Sequence, residues 1–148
     1  MEKKIFIHEK AAVEGDVVLG DNVSVWAFAA IRGDEGKITI GDNSNIQESA
    51  VIHGASKIGH NVTVAHGAVV HGATIGNNAV IGINSVVLDG AEVGDWCIIA
   101  AGSVVPPEKK IEPGCMAMGI PAKVTRILEG KDRDYIVHAY KTYLEKSK

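Results

Sequence analysis

Three histidines, His53, His66 and His71, are the residues of this chain best suited to chemistry. Neutral imidazole nitrogens bind zinc, and an imidazole can also act as a general base near neutral pH. His53 and His71 are 18 residues apart, and His66 precedes His71 by five residues. Whether these three side chains can meet depends on the pattern of the residues around them.

That pattern is a repeat of six residues. Large aliphatic residues recur at this interval through most of the chain, and a small or β-branched residue follows most of them by four positions. Only two intervals differ, nine residues between Ile31 and Ile40 and five between Val70 and Ile75. The aliphatic positions are Val13, Leu19, Val25, Ile31, Ile40, Ile46, Ile52, Ile58, Val64, Val70, Ile75, Ile81, Val87, Val93, Ile99, Val105 and Ile111.

A period of six matches neither an α-helix nor a long alternating strand. It predicts a short strand followed by a turn, and three such units close a triangular coil of about 18 residues with its aliphatic side chains inside. A β-sandwich is the alternative, but its turn signals would recur every 8–12 residues or so. We therefore predict an all-β solenoid, a left-handed parallel β-helix of hexapeptide repeats, over residues 1–122.

Both ends of such a solenoid need a cap, because the core would otherwise be exposed. The segment Met1–Lys10 can supply a first strand. Ile136, Tyr140 and Tyr143 recur at helical spacing, which predicts an α-helix over residues 131–146. We expect this helix to pack on a wall of the prism, so that residues 123–148 form the second part of the chain.

The repeat gives the histidines a geometry. His53 and His71 each follow an inward aliphatic residue, so both side chains face outward. One coil separates them, so they should lie on the same face with their backbones about 4.8 Å apart, close enough to share one metal ion. His66 lies on the preceding face, so a neighbouring prism would have to supply it. Solvated surface histidines are the alternative, and that is our expectation for His8, His60 and His138.

Composition narrows the class of protein. The formal net charge is −3 without a basic stripe, so we expect no nucleic-acid partner. No apolar run is long enough to serve as a signal peptide or to cross a membrane, so we expect no membrane partner. Nothing in the sequence pairs Cys97 with Cys115, and we expect a cytoplasmic protein with reduced thiols.

Several segments of the chain resemble the γ-class carbonic anhydrases and their shorter bacterial and archaeal relatives. The resemblance covers nearly the whole chain, and its specific part is His-x4-His with a further histidine one coil upstream. It implies a homotrimer with a metal site at each subunit boundary, where His53 and His71 of one chain meet His66 of the next. Zinc is the usual metal, with iron or cobalt as alternatives. The matching segments are Arg32–Asp34, Asn45–Glu48, Val51–His53 and His66–Gly72.

The resemblance implies further roles near the metal. Gln47 matches a residue that hydrogen-bonds the metal-bound water or bicarbonate, and Asn45 matches, less closely, a neighbour in the same pocket. Glu35 matches a carboxylate proposed to help proton transfer, and the nine-residue interval places it in a loop. A solvated side chain is the alternative for Gln47 and Glu35, and a turn residue is the alternative for Asn45.

Three charged residues match the contacts that join subunits in this family. Arg32 and Asp34 resemble a pair that forms a salt bridge between subunits. Glu48 stands where the better-known pattern has aspartate, which keeps the charge but places it on a longer side chain than the family contact with Arg32 uses. The alternative is an exposed ion pair that contributes little to stability.

The implied function is reversible hydration of CO2 to bicarbonate by a metal-bound hydroxide. This chain departs from the family pattern at one place that matters for this function. The prototype enzyme has a long acidic loop with a proton-shuttle glutamate after its first metal histidine. Here His53 runs directly into the next repeat. Glu35 or a tyrosine of the C-terminal helix could replace the shuttle. The alternatives are a hexapeptide-type acyltransferase, a metal-dependent thioesterase and a trimeric scaffold with little catalysis.

Overall fold

A computed structural model describes residues 2–148 of the chain as a parallel β-helix of about six coils that is followed by one α-helix. The α-helix, α1, spans Gly130–Lys146. The strands, in chain order, are β1 (Ile5–Ile7), β2 (Ala12–Leu19), β3 (Val23–Val25), β4 (Ala30–Ile40), β5 (Asn45–Ile46), β6 (Val51–His53), β7 (Ser56–Ile58), β8 (Thr63–Val64), β9 (Val69–His71), β10 (Thr74–Ile75), β11 (Val80–Ile81), β12 (Val86–Val87), β13 (Glu92–Val93), β14 (Ile98–Ile99), β15 (Val104–Val105), β16 (Lys110–Ile111), β17 (Cys115–Gly119) and β18 (Ala122–Ile127).

The aliphatic repeat forms the interior of the prism, as predicted. All of its positions except Val13, which is half-buried, are at most 9% exposed, and they belong to one continuous core. Stacking aligns equivalent residues in columns, so Ile31 pairs with Ile52 and Ile52 pairs with Val70 on successive coils. Full burial of such a side chain contributes about 1.5–3 kcal/mol to folding, which makes these columns the main source of stability. The solenoid and its C-terminal helix are thereby confirmed.

Two sheets cover the three faces of the prism. One sheet has the order β1-β3-β5-β8-β11-β14-β17-β18 and forms a single face. The other has the order β15-β12-β9-β6-β4-β7-β10-β13-β16 and forms the other two faces, which the long strand β4 joins around a corner. The sequence predicted a loop at Glu35, in the nine-residue interval. That prediction is wrong, because β4 runs through the interval as extended chain and pairs with β2 on both sides of a bulge between Gly15 and Val17.

A column of asparagines occupies one corner of the prism. Asn22, Asn43, Asn61 and Asn78 all have positive φ angles, between 56° and 64°. Asparagine tolerates this left-handed conformation because its short amide bonds locally. Each amide nitrogen donates to the oxygen of the next asparagine in the column, over 3.1, 3.0 and 2.9 Å in turn. The corner is therefore held by side chains as well as by backbone.

Helix α1 packs on the single-face sheet, as the apolar spacing predicted. Ile136 is fully buried and forms a small second core with Val80, Ile98 and Leu128. Farther along, the ring of Tyr143 meets Trp26 edge to face at 5.4 Å between centroids. Among residues 2–148 no helix is long and apolar enough to span a membrane.

The start of α1 is tied to the prism by one ion pair. Arg126 donates from both terminal nitrogens to the Asp132 carboxylate, at 2.6 and 2.8 Å, and the backbone N–H of Glu129 donates to the same carboxylate at 2.7 Å. These hydrogen bonds hold the pKa of Asp132 well below its usual value. The helix therefore begins at a fixed position relative to β18.

Candidate metal centre

His53 and His71 stack on adjacent coils, as their spacing predicted. β6 and β9 pair in parallel with these two residues as register partners. Nδ1 of His53 lies 3.2 Å from Nε2 of His71, and the ring centroids are 5.0 Å apart. Both rings follow fully buried aliphatic residues, so the rigid core sets their positions.

Carboxylates hold the outer nitrogens of both rings. Nε2 of His53 lies 3.0 Å from the Asp34 carboxylate and 3.6 Å from that of Glu35. Nδ1 of His71 makes a short contact with Asp89 at the corner of the next coil. The two imidazoles thus lie between a carboxylate above and a carboxylate below. Such partners fix the ring orientation and tautomer of metal-binding histidines.

The basic group nearest to this pair is Arg32, on the coil above His53. Its Nη2 lies 3.1 Å from Nε2 of His53, and its Nε lies 3.5 Å from the Asp34 carboxylate. Partial desolvation by itself raises the pKa of Asp34, but the hydrogen bond from His53 and the charge of Arg32 outweigh it and lower that pKa. Asp34 is therefore a stable anion beside the ring.

The donors of this pair suit a small cation. When each outer nitrogen carries the proton that faces its carboxylate, both inner nitrogens present lone pairs to each other, which is repulsive. Two nitrogens bound to a tetrahedral zinc at its usual bond length are about 3.3–3.4 Å apart. The observed separation of 3.2 Å is close to that value, so the two rings fit a metal without large rearrangement.

His66 lies elsewhere in the same chain. It follows β8 at the corner after the single-face sheet, and its Nδ1 lies 3.0 Å from the Glu48 carboxylate on the coil above. That carboxylate oxygen is shielded from solvent and receives no well-directed hydrogen bond. Within residues 2–148, no three His, Cys, Asp or Glu side chains come together as a metal-binding group.

Gln47 and Asn45 lie near His66 and not near the stacked pair. Both are buried between the single-face sheet and α1, with 5% and 1% exposure. Nε2 of Gln47 donates to Oδ1 of Asn45 at 3.0 Å, and Nδ2 of Asn45 donates to the Thr63 hydroxyl at 2.9 Å. Gln47 and His66 border the same groove beneath α1. The predicted residues thus form two separate clusters on different faces of the prism.

The sequence analysis missed two of the carboxylates. Asp89 follows His71 by 18 residues where the coil has 17, so it lies one position beyond the residue that stacks on His71. Glu48 was assigned only to a contact between subunits, whereas its side chain lies against His66. Both acids lie at corners, where register alone does not show which way a side chain turns.

Comparisons with known proteins agree on the repeat. The family described as "Bacterial transferase hexapeptide (six repeats)" matches residues 72–107. Among curated proteins, a "Probable carbonic anhydrase" of Methanocaldococcus jannaschii is 49% identical over 53 residues, which is 36% of this chain and 33% of that protein. "Gamma carbonic anhydrase 2, mitochondrial" of Arabidopsis thaliana is 36% identical over 55 residues, which is 37% of this chain and 20% of that protein. The matched segment thus spans a third or less of these curated relatives.

Two solved structures are similar over nearly the full chain. A "hexapeptide transferase family protein" from Anaplasma phagocytophilum is 35% identical with a TM-score of 0.96, and the match covers 99% of this chain and 89% of that one. A "putative acetyltransferase" from Bacillus cereus is 37% identical with a TM-score of 0.89, over 99% and 91% of the two chains. This chain therefore belongs to the hexapeptide-repeat family of left-handed β-helix proteins, and its sequence is similar to those of γ-class carbonic anhydrases.

Proposed function

We propose that this chain is a metal-dependent, carbonic anhydrase-like enzyme that hydrates CO2 reversibly to bicarbonate. The observation that carries the proposal is the stacked pair of His53 and His71, whose inner nitrogens converge at 3.2 Å. A general base needs one imidazole, whereas two imidazoles aimed at one point and supported by carboxylates are typical of metal binding. The similarity to γ-class carbonic anhydrases supports the same function.

The third ligand would come from a second copy of the chain. His66 projects from a corner with about half of its side chain exposed. Glu48 contacts Nδ1 of His66, which leaves Nε2 of His66 available for a metal. In a closed three-fold arrangement, each such corner faces the His53 and His71 pair of the next subunit and makes three equal sites. Arg32, Asp34 and Glu48 would lie along this boundary, where their charges can pair across subunits.

Zinc, or iron or cobalt in its place, would be held by three imidazoles and would supply a water activated for attack on carbon. The chain's own residues would do the rest. The groove beside Gln47 would admit CO2, and the amide of Gln47 would orient it. Glu35 is 68% exposed and 3.6 Å from His53, so its carboxylate can take a proton at the site and release it to solvent. The net reaction converts CO2 and water to bicarbonate and one proton.

The test is metal content and CO2 hydration measured on the same protein. Wild-type protein purified without oxygen should hold about one zinc or iron per chain. His71→Ala should lose both the metal and the activity, while His60→Ala, which changes an exposed histidine away from the site, should keep both. Full metal and activity in His71→Ala would overturn the proposal. Metal without turnover would retain the site and favour a thioesterase or a trimeric scaffold.

An acyltransferase is the second candidate, and one observation favours it. The structure of the "putative acetyltransferase" from Bacillus cereus shares 37% identity and almost the whole fold. In that case one histidine would act as the general base toward an acyl acceptor. Binding of acetyl-CoA to metal-free protein, with acetyl transfer that is lost in His66→Ala or in His71→Ala, would identify this function in place of CO2 hydration.

A further inference from the structure

A groove runs beneath α1 from Gln47 and His66 toward the C-terminal end of the prism. Its volume is about 350 Å³, and its floor passes Ala65, Val80 and Ala100. Water occupies roughly 30 Å³ per molecule in the liquid, so the groove has space for about ten waters. CO2 needs only a small part of that space. The groove therefore has room for a ligand that the proposed function does not use.

The groove exists because one column of the sheet begins with larger side chains and continues with small ones. The residue after each inward aliphatic faces α1, and on successive coils it is Trp26, Gln47, Ala65, Gly82 and Ala100. Trp26 fills the space beneath the helix and closes one end against Tyr143. Below Gln47 the column holds nothing larger than alanine, which leaves space between the helix and this column of the sheet.

The head of the groove contains polar groups with unused hydrogen-bonding capacity. Gln47 is only 5% exposed, and its side-chain oxygen accepts no hydrogen bond from any of residues 2–148. Thr63 is 3% exposed, and its hydroxyl accepts from Asn45 but donates to none of these residues. Both residues line the groove, so this acceptor and this donor can pair with the polar group of a ligand that lies there.

The floor and the outer wall of the groove are aliphatic. Val80 and Ile98 are 3% and 7% exposed along its floor, and Ile83 forms the outer wall with 47% exposure. On the opposite wall, α1 contributes Ala139 together with Tyr135, His138, Thr142 and Tyr143. A ligand that matches both parts has an uncharged head with one hydrogen-bond donor and one acceptor, followed by a straight apolar chain.

We propose that this groove binds a linear aliphatic acyl amide, with its carbonyl and N–H between Thr63 and Gln47 and its chain over Ala65 and Ala100. The carbonyl would accept from the Thr63 hydroxyl, and the N–H would donate to the Gln47 oxygen. The chain would lie on the aliphatic floor beneath Ala139. This goes beyond the proposed hydration of CO2, and it requires no metal at His53 and His71.

Titration calorimetry of the metal-free protein with acetamide, butanamide, hexanamide and octanamide tests the proposal. Affinity should rise with chain length, by up to about fourfold for each fully buried methylene. Ala139→Phe, which fills the groove from α1, should weaken octanamide binding by at least about tenfold. The matched control is Lys141→Phe, an exposed position on the same helix outside the groove, which should bind as wild type.

Two further variants show whether Ala139→Phe weakens binding by filling the groove or by disturbing the fold. Ala101→Phe fills the groove from the prism side and should weaken binding to a similar extent. Gln47→Met keeps the size of the side chain but removes its amide, and should weaken all four amides by about tenfold without changing the dependence on chain length. Equal affinity for acetamide and octanamide, or unchanged binding in both Ala139→Phe and Ala101→Phe, would overturn the proposal. Loss of CO2 hydration with retained amide binding would count against the proposed function alone.

Discussion

Nδ1 of His53 and Nε2 of His71 face each other at 3.2 Å, while the outer nitrogen of each ring faces a carboxylate. Along the prism axis, the two imidazoles of His53 and His71 therefore lie between two acids, Asp34 at one end and Asp89 at the other. In the tautomers that carry one proton on each outer nitrogen, the inner nitrogens are two converging lone pairs. This arrangement is repulsive when empty and attractive to a cation, and the first two predictions depend on it.

A site shared between subunits can be rebuilt from two defective chains. His66→Ala and His53→Ala should each abolish metal binding when studied alone. Trimers assembled from a 1:1 mixture after joint refolding should regain about a quarter of the wild-type metal, because a given boundary then has one chance in four of combining two intact half-sites. Elemental analysis of the mixed protein measures this recovery. A site confined to one chain would show no recovery.

Asp89 should strengthen metal binding through His71. Asp89→Asn removes the charge that orients the ring, and such changes typically cost about 10–100-fold in metal affinity. Competition with a chelator of known affinity measures the change. The control, Glu92→Gln, makes the same charge change at an exposed ion pair with Lys110 and should leave metal affinity unaltered. Equal affinity in both variants would mean that Asp89 does not support the ligand.

The ion pair of Asp132 predicts a dependence of stability on pH. The folded pKa of Asp132 lies below its unfolded value of about 3.9, so its ionised form stabilises the fold above that pH. This contribution is lost as the pH falls from about 3.9 through the folded pKa. Asp132→Asn should therefore unfold at a lower temperature than wild type at neutral pH, and the difference should shrink in acid. A difference in melting temperature that is constant from neutral to acidic pH would contradict this.

The aliphatic column should respond to cavities in proportion to the volume removed. Ile52 is fully buried between Ile31 and Val70, so Ile52→Ala should cost about 2–5 kcal/mol and Ile52→Val about 0.5–1.5 kcal/mol. Urea unfolding followed by circular dichroism measures both free energies of unfolding. The exposed substitution Lys57→Ala should change the free energy of unfolding by less than about 0.5 kcal/mol. Similar losses for all three variants would contradict a close-packed prism.

The parts that sequence predicted best are those that register alone determines. A constant interval of six places Ile52 and Val70 inside the prism, so their neighbours His53 and His71 must face outward one above the other. The same logic placed His66 on another face. Likewise, Ile136 and Tyr143 were predicted to face the prism because helical spacing brings them to one side of α1.

What the sequence did not predict depends on side-chain direction and on a change of register. The nine-residue interval predicted a loop at Glu35, but Ile38 also points inward and β4 stays extended through the corner. Asp89 was missed, because nothing in its spacing shows that its carboxylate reaches back to His71. The groove could not be predicted either, since it requires knowing that α1 covers the column of Ala65, Gly82 and Ala100.

The antiparallel strand β18 has a consequence for how copies of this molecule can meet. Stacked parallel strands resemble the growing tip of a cross-β fibre, which recruits further chains by backbone hydrogen bonding. Here β18 reverses direction against β17 at the last position of the single-face sheet. It carries Lys123 and Arg126, charged residues that disfavour the addition of another strand. The prism is thus protected against end-to-end polymerisation along this sheet, and its sides remain free for ordered assembly.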